Sequence, residues 1–358
     1  MICLNKPLSP DFKKLNSYLK KINDSGWYTN FGPMHQELTS KLEDYLEVKN
    51  LLLVSNGTLA IQVAAKVLNI SKPITTPFSF VATSSSLLWQ GMDIAFSDID
   101  ASSLNLSTDK IEQIWKTNPS YDSLLATHVY GNPCNVEKIK YLAEKYNKKI
   151  IYDAAHAFAI KLGRKSVLNY GDASTLSFHA TKVFHTIEGG GIVFKNRCDF
   201  EKAKELINFG IQGDGSLGEP GINAKLNEYQ AAVGLCLLDN IDMIIEHRSN
   251  LFELYRKELK DVINMPLWHE DANYNGAYMP ICPDSKSVRE KICAGLTNNN
   301  VQFRRYFYPS LDQAYPKVKS FGCKISNAIS ENTLCLPLHA YMTEAEVYKI
   351  TSIIKEVL

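Results

Sequence analysis

The sequence predicts an α/β protein in two parts. A large domain would be built on a mostly parallel mixed sheet flanked by helices, with a smaller α+β domain at the C-terminal end. Three observations carry this. Between Leu51 and Asp153, short apolar runs alternate with helix-length amphipathic runs. The links between them are short, as in strand–helix–strand units. After about residue 262 the alternation stops and three strand candidates share the chain with two helices.

The elements read in order as follows. Met34–Val48 carries Leu38, Leu42, Tyr45 and Leu46 at helical spacing, with charges between them. Leu51–Val54 is a strand, followed by Ser55-Asn56-Gly57-Thr58 and a helix over Leu59–Leu68. Pro73–Pro77 is extended and Phe80–Leu88 helical. Asp93–Phe96, Leu124–Thr127 and Lys149–Asp153 are strands, separated by helices over Thr108–Trp115 and Val136–Tyr146. Ala173–Phe178 and Gly191–Phe194 are adjacent strands around the loop His179–Gly190, and Phe200–Asn208 is a helix. Gly210–Gly221 is a glycine-rich loop. A long helix is expected over Asn227–Leu259, with a bend near Glu246–Arg248, so the domains are placed at 1–245 and 246–358. The second contains strands Tyr278–Ile281, Val301–Tyr306 and Leu334–Leu338 and helices Ser287–Leu296 and Glu344–Val357.

Composition narrows the function classes. The 358 residues carry 39 Lys+Arg against 38 Asp+Glu, a formal net charge of +1. That balance disfavours a nucleic-acid partner or a polybasic membrane surface, both of which need a positive field. The 45% hydrophobic content excludes disorder. No apolar run is long enough to span a bilayer, and Met1–Pro10 lacks the pattern of a signal peptide. The eight cysteines form no C-x-x-C pair, so a cytoplasmic protein without a metal site is expected.

Three motifs carry chemistry. Ser55-Asn56-Gly57-Thr58 joins a strand to a helix whose N-terminal N–H groups suit an anion such as phosphate; an ordinary N-cap looks the same. Asp153 ends a parallel strand, where α/β proteins bind ligands, and is followed by Ala154-Ala155-His156. Asp153 and His156 have no third ligand nearby for a metal. In Ser177-Phe178-His179-Ala180-Thr181-Lys182 a lysine lies between runs that must be buried, and a buried lysine is a candidate amine nucleophile. Gly213–Gly218 fits G-x-G-x-x-G but follows no strand, so it is a chance match, and no P-loop occurs.

A phosphate turn, a strand-end carboxylate and a later lysine, in that order, suit pyridoxal 5'-phosphate. Here the sequence resembles the DegT/DnrJ/StrS aminotransferases, which are pyridoxal-phosphate-dependent enzymes of fold type I. The resemblance rests on Gly26–Gly32, Ser55–Thr58, Pro77–Thr83, His128–Gly131, Asp153–His156, Ser177–Lys182, Glu188–Gly190, Gly221–Lys225, Gln230–Ala232, Arg305–Pro309 and Leu336–Leu338. It implies Lys182 as the Schiff-base lysine, Asp153 at the ring nitrogen and His156 near the phenolic oxygen. It also implies Phe80 against the ring, Gly57, Thr58 and Ser177 at the phosphate, and Asn223 reaching the phosphate from a partner subunit. Lys225, Arg304, Arg305 and Tyr306 are substrate-side candidates. The sequence departs from the family pattern at Val183, Ile222 and Lys225, where the family has asparagine, an aromatic residue and arginine.

The implied activity is transfer of an amino group from L-glutamate to a nucleotide-linked keto sugar, through the pyridoxamine 5'-phosphate form, by a cytoplasmic homodimer with interfacial active sites. The expected acceptor is dTDP-4-keto-6-deoxy-D-glucose, giving the 4-amino-4,6-dideoxy sugar of a surface polysaccharide such as O-antigen. A dTDP-3-keto-6-deoxyhexose and a UDP-linked 4-keto sugar are the alternatives. A dehydratase would carry histidine in place of Lys182, and a non-enzymatic pyridoxal-phosphate-binding regulator would not need Asp153, Thr58 and Lys182 together.

Overall fold

A computed structural model describes residues 1–358. Its centre is an eight-stranded sheet in the order Leu51–Val54, Gly190–Phe194, Ala173–Ser177, Lys149–Asp153, Ser123–Thr127, Pro73–Thr75, Ala95–Phe96, Lys319–Ser320. Gly190–Phe194 pairs antiparallel with both its neighbours, and every other pairing is parallel. The sheet is therefore mixed and mostly parallel, as expected.

Strand periodicity sends alternate residues to opposite faces, and the two cores follow from it. Leu51, Leu53, Leu124, Ala126, Ile150 and Tyr152 face one core, which is closed by helices Phe12–Ser25, Pro33–Leu46, Thr108–Thr117, Val136–Tyr146 and Glu228–Leu238. Leu52, Val54, Leu125, Ile151, Ile192 and Phe194 face the other, closed by Gly57–Val67, Ala82–Trp89 and Arg197–Leu206. Apolar residues on both faces explain why these strands read as continuous apolar runs.

A third core holds the C-terminal part. Met279–Ile281 pairs antiparallel with Leu334–Leu336. Helices Lys286–Asn298 and Glu344–Val357 pack over this pair through Ile292, Leu296, Val347, Ile350 and Ile354. Ile245 packs against the first core and Leu251 lies in the third, both on helix Ile241–Leu259. We propose that this helix carries the change of domain, with the division at 245/246.

The structure corrects several readings. The expected long helix is broken at Asp239–Asn240 and runs unbroken past Glu246–Arg248. Arg248 is buried and its guanidinium donates to Gly276 O and Ala277 O, so it is no solvated breakpoint. Val301–Tyr306 is not a strand: it makes only isolated bridges, Val301 to Ile2 and Arg304 to Cys335. Helices Phe12–Ser25 and Lys324–Asn332 and the edge strand Lys319–Ser320 escaped the sequence reading. Gly210–Gly221 closes on itself through Gly218 N–H donating to Gly210 O. Gly210 has φ +77°, and a Cβ there would lie 1.9 Å from Glu219 O, so only glycine fits. No helix is long and apolar enough to cross a membrane.

Candidate active site

The carboxyl ends of the parallel strands open into a cavity of about 370 Å³. Gly57, Thr58, Phe80, Asp153, His156, Ser177, Lys182, Arg304 and Tyr306 all line it. The sequence thus nominated nine residues, scattered over 250 positions, that folding brings together.

The phosphate turn forms one wall. Asn56 caps helix Gly57–Val67, its side chain accepting from Leu59 N–H at 2.8 Å, and the N–H groups of Gly57 and Thr58, both on the cavity lining, have no protein acceptor. The loop after Ala173–Ser177 folds back onto this turn and requires two glycines. A Cβ on Gly190 would lie 2.7 Å from the Asn56 carbonyl carbon and oxygen, and one on Gly189 would lie 2.0 Å from Thr186 Oγ1. Close backbone approach at the turn is what positions Ser177 beside Gly57; a Cβ on Gly57 would be 2.9 Å from Ser177 Cβ.

Asp153, 6% exposed, ends its strand with both carboxylate oxygens occupied. Oδ2 accepts from Thr83 Oγ1 at 2.7 Å, and Oδ1 accepts from Ala155 N–H at 3.1 Å. Because an ionised carboxylate only accepts, the Thr83 hydroxyl must donate to it. Ser79 then donates to Thr83 at 2.7 Å, and Thr127 donates to Ser79 at 3.2 Å. Burial pushes the Asp153 carboxyl above its ordinary range, against the opposing pull of Thr83, Ala155 N–H and the Lys182 charge. No cationic side chain lies within ion-pair distance of it.

His156, 4% exposed, is fixed in one tautomer. Its Nδ1 accepts from Tyr130 N–H at 3.2 Å, so a neutral ring carries its proton on Nε2. Burial first, then the Lys182 and His128 charges, hold the imidazole well below its usual range, so it is neutral at physiological pH. The ring stacks on Phe307 at 5.9 Å between centroids and 4° between planes.

Lys182 sits in the turn after its strand, its N–H donating to His179 O. Burial lowers its amine to about 8, while the Asp153 charge and then Tyr306 oppose the shift. About a tenth of it is therefore unprotonated at pH 7, far more than for an exposed lysine. Its Nζ is 3.4 Å from the Tyr278 hydroxyl.

Three nominated residues are placed elsewhere. Asn223 is exposed and bridges to Asn208, outside the cavity. Lys225 lies beside the phosphate turn, where Ser55 N–H donates to Ala224 O, but its Nζ donates to Asn208 Oδ1 at 2.7 Å. Arg305 turns away, donating to Glu331 O at 2.8 Å and lying over the Tyr308 ring. Arg304 instead faces the cavity, over the Tyr306 ring at 5.5 Å. Sequence reading missed roles for Thr83, Ser79 and Tyr278. The first two lie in the quoted Pro77–Thr83 stretch, whereas Tyr278 offered only the signal of a strand's first residue.

Comparisons with known proteins give the family. A protein of Shigella dysenteriae, dTDP-4-amino-4,6-dideoxy-D-glucose transaminase, is 40% identical over 99% of both chains. A protein of the same name from Escherichia coli is 35% identical over 99% of this chain and 98% of its own. The crystal structure of DesI in the presence of its TDP-sugar product superposes with a TM-score of 0.92 at 25% identity, covering 99% of this chain and 92% of that one. Residues 11–355 match the DegT/DnrJ/EryC1/StrS aminotransferase family. Since that match spans nearly the whole chain and the relatives match end to end, this protein belongs to the DegT/DnrJ/EryC1/StrS aminotransferase family.

Proposed function

We propose that the protein transfers the amino group of L-glutamate to C4 of dTDP-4-keto-6-deoxy-D-glucose, using pyridoxal 5'-phosphate and its pyridoxamine form. The observation that carries the chemistry is the convergence of Lys182, Asp153, His156 and the Gly57-Thr58 turn on one cavity. The 40% full-length identity to a transaminase of that name supports the sugar.

The donor set fits the cofactor. Asp153 is a buried carboxylate lacking a cationic partner at ion-pair distance, and a protonated ring nitrogen would supply that charge. The glycine-tight wall at Gly57, Thr58 and Ser177, with the helix N-terminus behind it, suits a phosphate. Phe80, half exposed into the cavity, offers an apolar face for a ring. When bound, pyridoxal phosphate supplies an aldehyde that condenses with amines and a ring that accepts an electron pair.

The chain's residues then divide the work. Lys182, unprotonated, would be the nucleophile that holds the cofactor's aldehyde, and its free amine would be the base placed to take and return a proton at the donor's α-carbon. An amine near 8 suits both duties at neutral pH, because protonated and free forms are both accessible. Asp153 would keep the ring nitrogen's proton in place, with Thr83, Ser79 and Thr127 holding its carboxylate in register. His156, whose Nδ1 is taken by Tyr130 N–H, would have its Nε2–H free for the ring's phenolic oxygen. Arg304, at the mouth, suits the acceptor's diphosphate by its planar fork.

The working form is a cytoplasmic homodimer. Asn223 lies outside its own subunit's cavity, and Trp27 and Ile222 are 48% and 43% exposed, as residues awaiting a second subunit would be. The amino sugar would feed a surface polysaccharide. The test is to incubate the purified protein with pyridoxal phosphate, L-glutamate and the dTDP-4-keto sugar. Formation of 2-oxoglutarate and an amino sugar in equal amounts, abolished in Lys182→Ala, supports the reading; an inert wild type overturns it.

A further inference from the structure

Tyr278 is the one hydroxyl that meets the reactive amine, and the chain holds it there from behind. Its Oη lies 3.4 Å from Lys182 Nζ and has no other protein hydrogen-bond partner. Its ring packs edge-on against His156 at 4.7 Å and against Tyr306 at 5.5 Å, so the phenol touches three groups of the site. Immediately before it, Asn275 Nδ2 donates to His156 O and Phe158 O at 2.9 Å each, and Asn275 Oδ1 accepts from Ala277 N–H. Gly276 is in the left-handed region at φ +60°, and a Cβ there would lie 2.6 Å from Arg248 Cβ. Arg248, 3% exposed and without a carboxylate partner, grips Gly276 O through Nε at 3.0 Å and Nη2 at 2.7 Å. A buried guanidinium held only by carbonyls is a costly way to stabilise a fold. Here it fixes the turn that delivers Tyr278.

We propose that Tyr278 is a positioning residue for Lys182, its hydroxyl oxygen accepting from Nζ and aiming it, and that Arg248 acts through Gly276 to place Tyr278. The proposal rests on Lys182 being the reactive amine. The phenol oxygen accepts from Nζ, and that bond becomes charge-assisted, and stronger, when Nζ is an ammonium. Tyr278 therefore favours the ammonium form, against the pull of burial. Burial keeps the phenol itself protonated. The other polar groups facing the amine are Asp153, which favours the ammonium, neutral His156, Tyr306, and Arg304, His179 and Glu188 around the cavity.

The test is competitive acetylation of the full-length, cofactor-free chain across pH, reading the Lys182 peptide by mass spectrometry, with circular dichroism as a check on folding. Tyr278→Phe keeps the ring and should lower the Lys182 midpoint by about half a pH unit or more. Arg248→Lys should shift it in the same direction in the wild-type background and add nothing to Tyr278→Phe. In the holoenzyme, Tyr278→Phe should lower kcat about tenfold with KM for glutamate within about twofold. A folded Tyr278→Phe chain with an unchanged midpoint overturns the proposal. So does an Arg248→Lys effect that persists undiminished in the Tyr278→Phe background. If Arg248→Lys fails to fold, the Tyr278→Phe midpoint decides alone. The acetylation arm reads the amine–hydroxyl contact even if the chain catalysed no transamination, so its failure is distinguishable from failure of the aminotransferase reading.

Discussion

Replacing Thr83 by valine tests whether the hydroxyl chain behind Asp153 serves the chemistry. The substitution keeps the β-branched shape and deletes one oxygen. Two contacts go with it, the 2.7 Å bond to Asp153 Oδ2 and the 2.7 Å bond from Ser79. The first is a hydrogen bond to a charged group, worth about 1.5–3 kcal/mol. Ala155 N–H alone then holds the carboxylate among its direct donors. If that loss falls on the ionised form, it converts to a rate loss of about ten- to a hundredfold. The stability consequence has a definite sign. Asp153 is already raised by burial above 3.8, and losing Thr83 raises it further. A carboxyl raised in the fold penalises the folded state once pH is high enough to ionise it, and the penalty disappears as pH falls through the raised value. In the cofactor-free protein, Thr83→Val should therefore melt below wild type most clearly at neutral pH, with the gap narrowing on acidification. The assay is stopped-flow of the glutamate half-reaction beside thermal melts across pH, with Thr83→Ser expected to restore the rate to within about threefold because the donor returns. A Thr83→Val rate within twofold of wild type, with a melting gap independent of pH, would refute the reasoning.

Three further outcomes are expected. Asp153→Asn should fold yet lose about a hundredfold or more in kcat, since a neutral amide cannot hold the ring nitrogen's proton; steady-state kinetics with circular dichroism checks this. Capture of pyridoxal phosphate by the cofactor-free chain, followed by its visible absorbance, should slow as pH falls through about 8, where Lys182 becomes protonated, and should vanish in Lys182→Ala. Arg304→Ala should raise KM for the nucleotide sugar about tenfold through loss of a charge-assisted contact. Arg305→Ala should leave that KM unchanged and lower the melting temperature instead, because Arg305 is engaged with Glu331.

The parallel half of the sheet was legible because each strand there is buried on both faces, so its apolar run is unbroken. Lys149–Asp153 and Ser123–Thr127 are clear cases. The edge strand Lys319–Ser320 was not, being two residues long, polar, and contributed from beyond 300. Helix Phe12–Ser25 hid because its sequence is mostly polar and only Tyr18 and Ile22 are fully buried. The expected bend at Glu246–Arg248 followed the charges. Arg248 is in fact inside the protein, satisfied by carbonyls that no local pattern announces. That Lys182, Asp153 and the Gly57-Thr58 turn would meet in one cavity was legible because all of them lie at or just beyond element ends. Thr83 and Tyr278 act by contacts across 70 and 96 residues, and Arg305 differs from Arg304 only in which way a bridged backbone points its side chain.

The most direct measurement supplies L-glutamate carrying heavy nitrogen, with dTDP-4-keto-6-deoxy-D-glucose as acceptor, and locates the label in the product by NMR. The account predicts heavy nitrogen bonded at C4 of the dTDP-linked sugar, one equivalent for each glutamate consumed, and none with Lys182→Ala. Label at C3, or glutamate turnover that leaves this sugar untouched while a UDP-linked keto sugar is aminated, would contradict it.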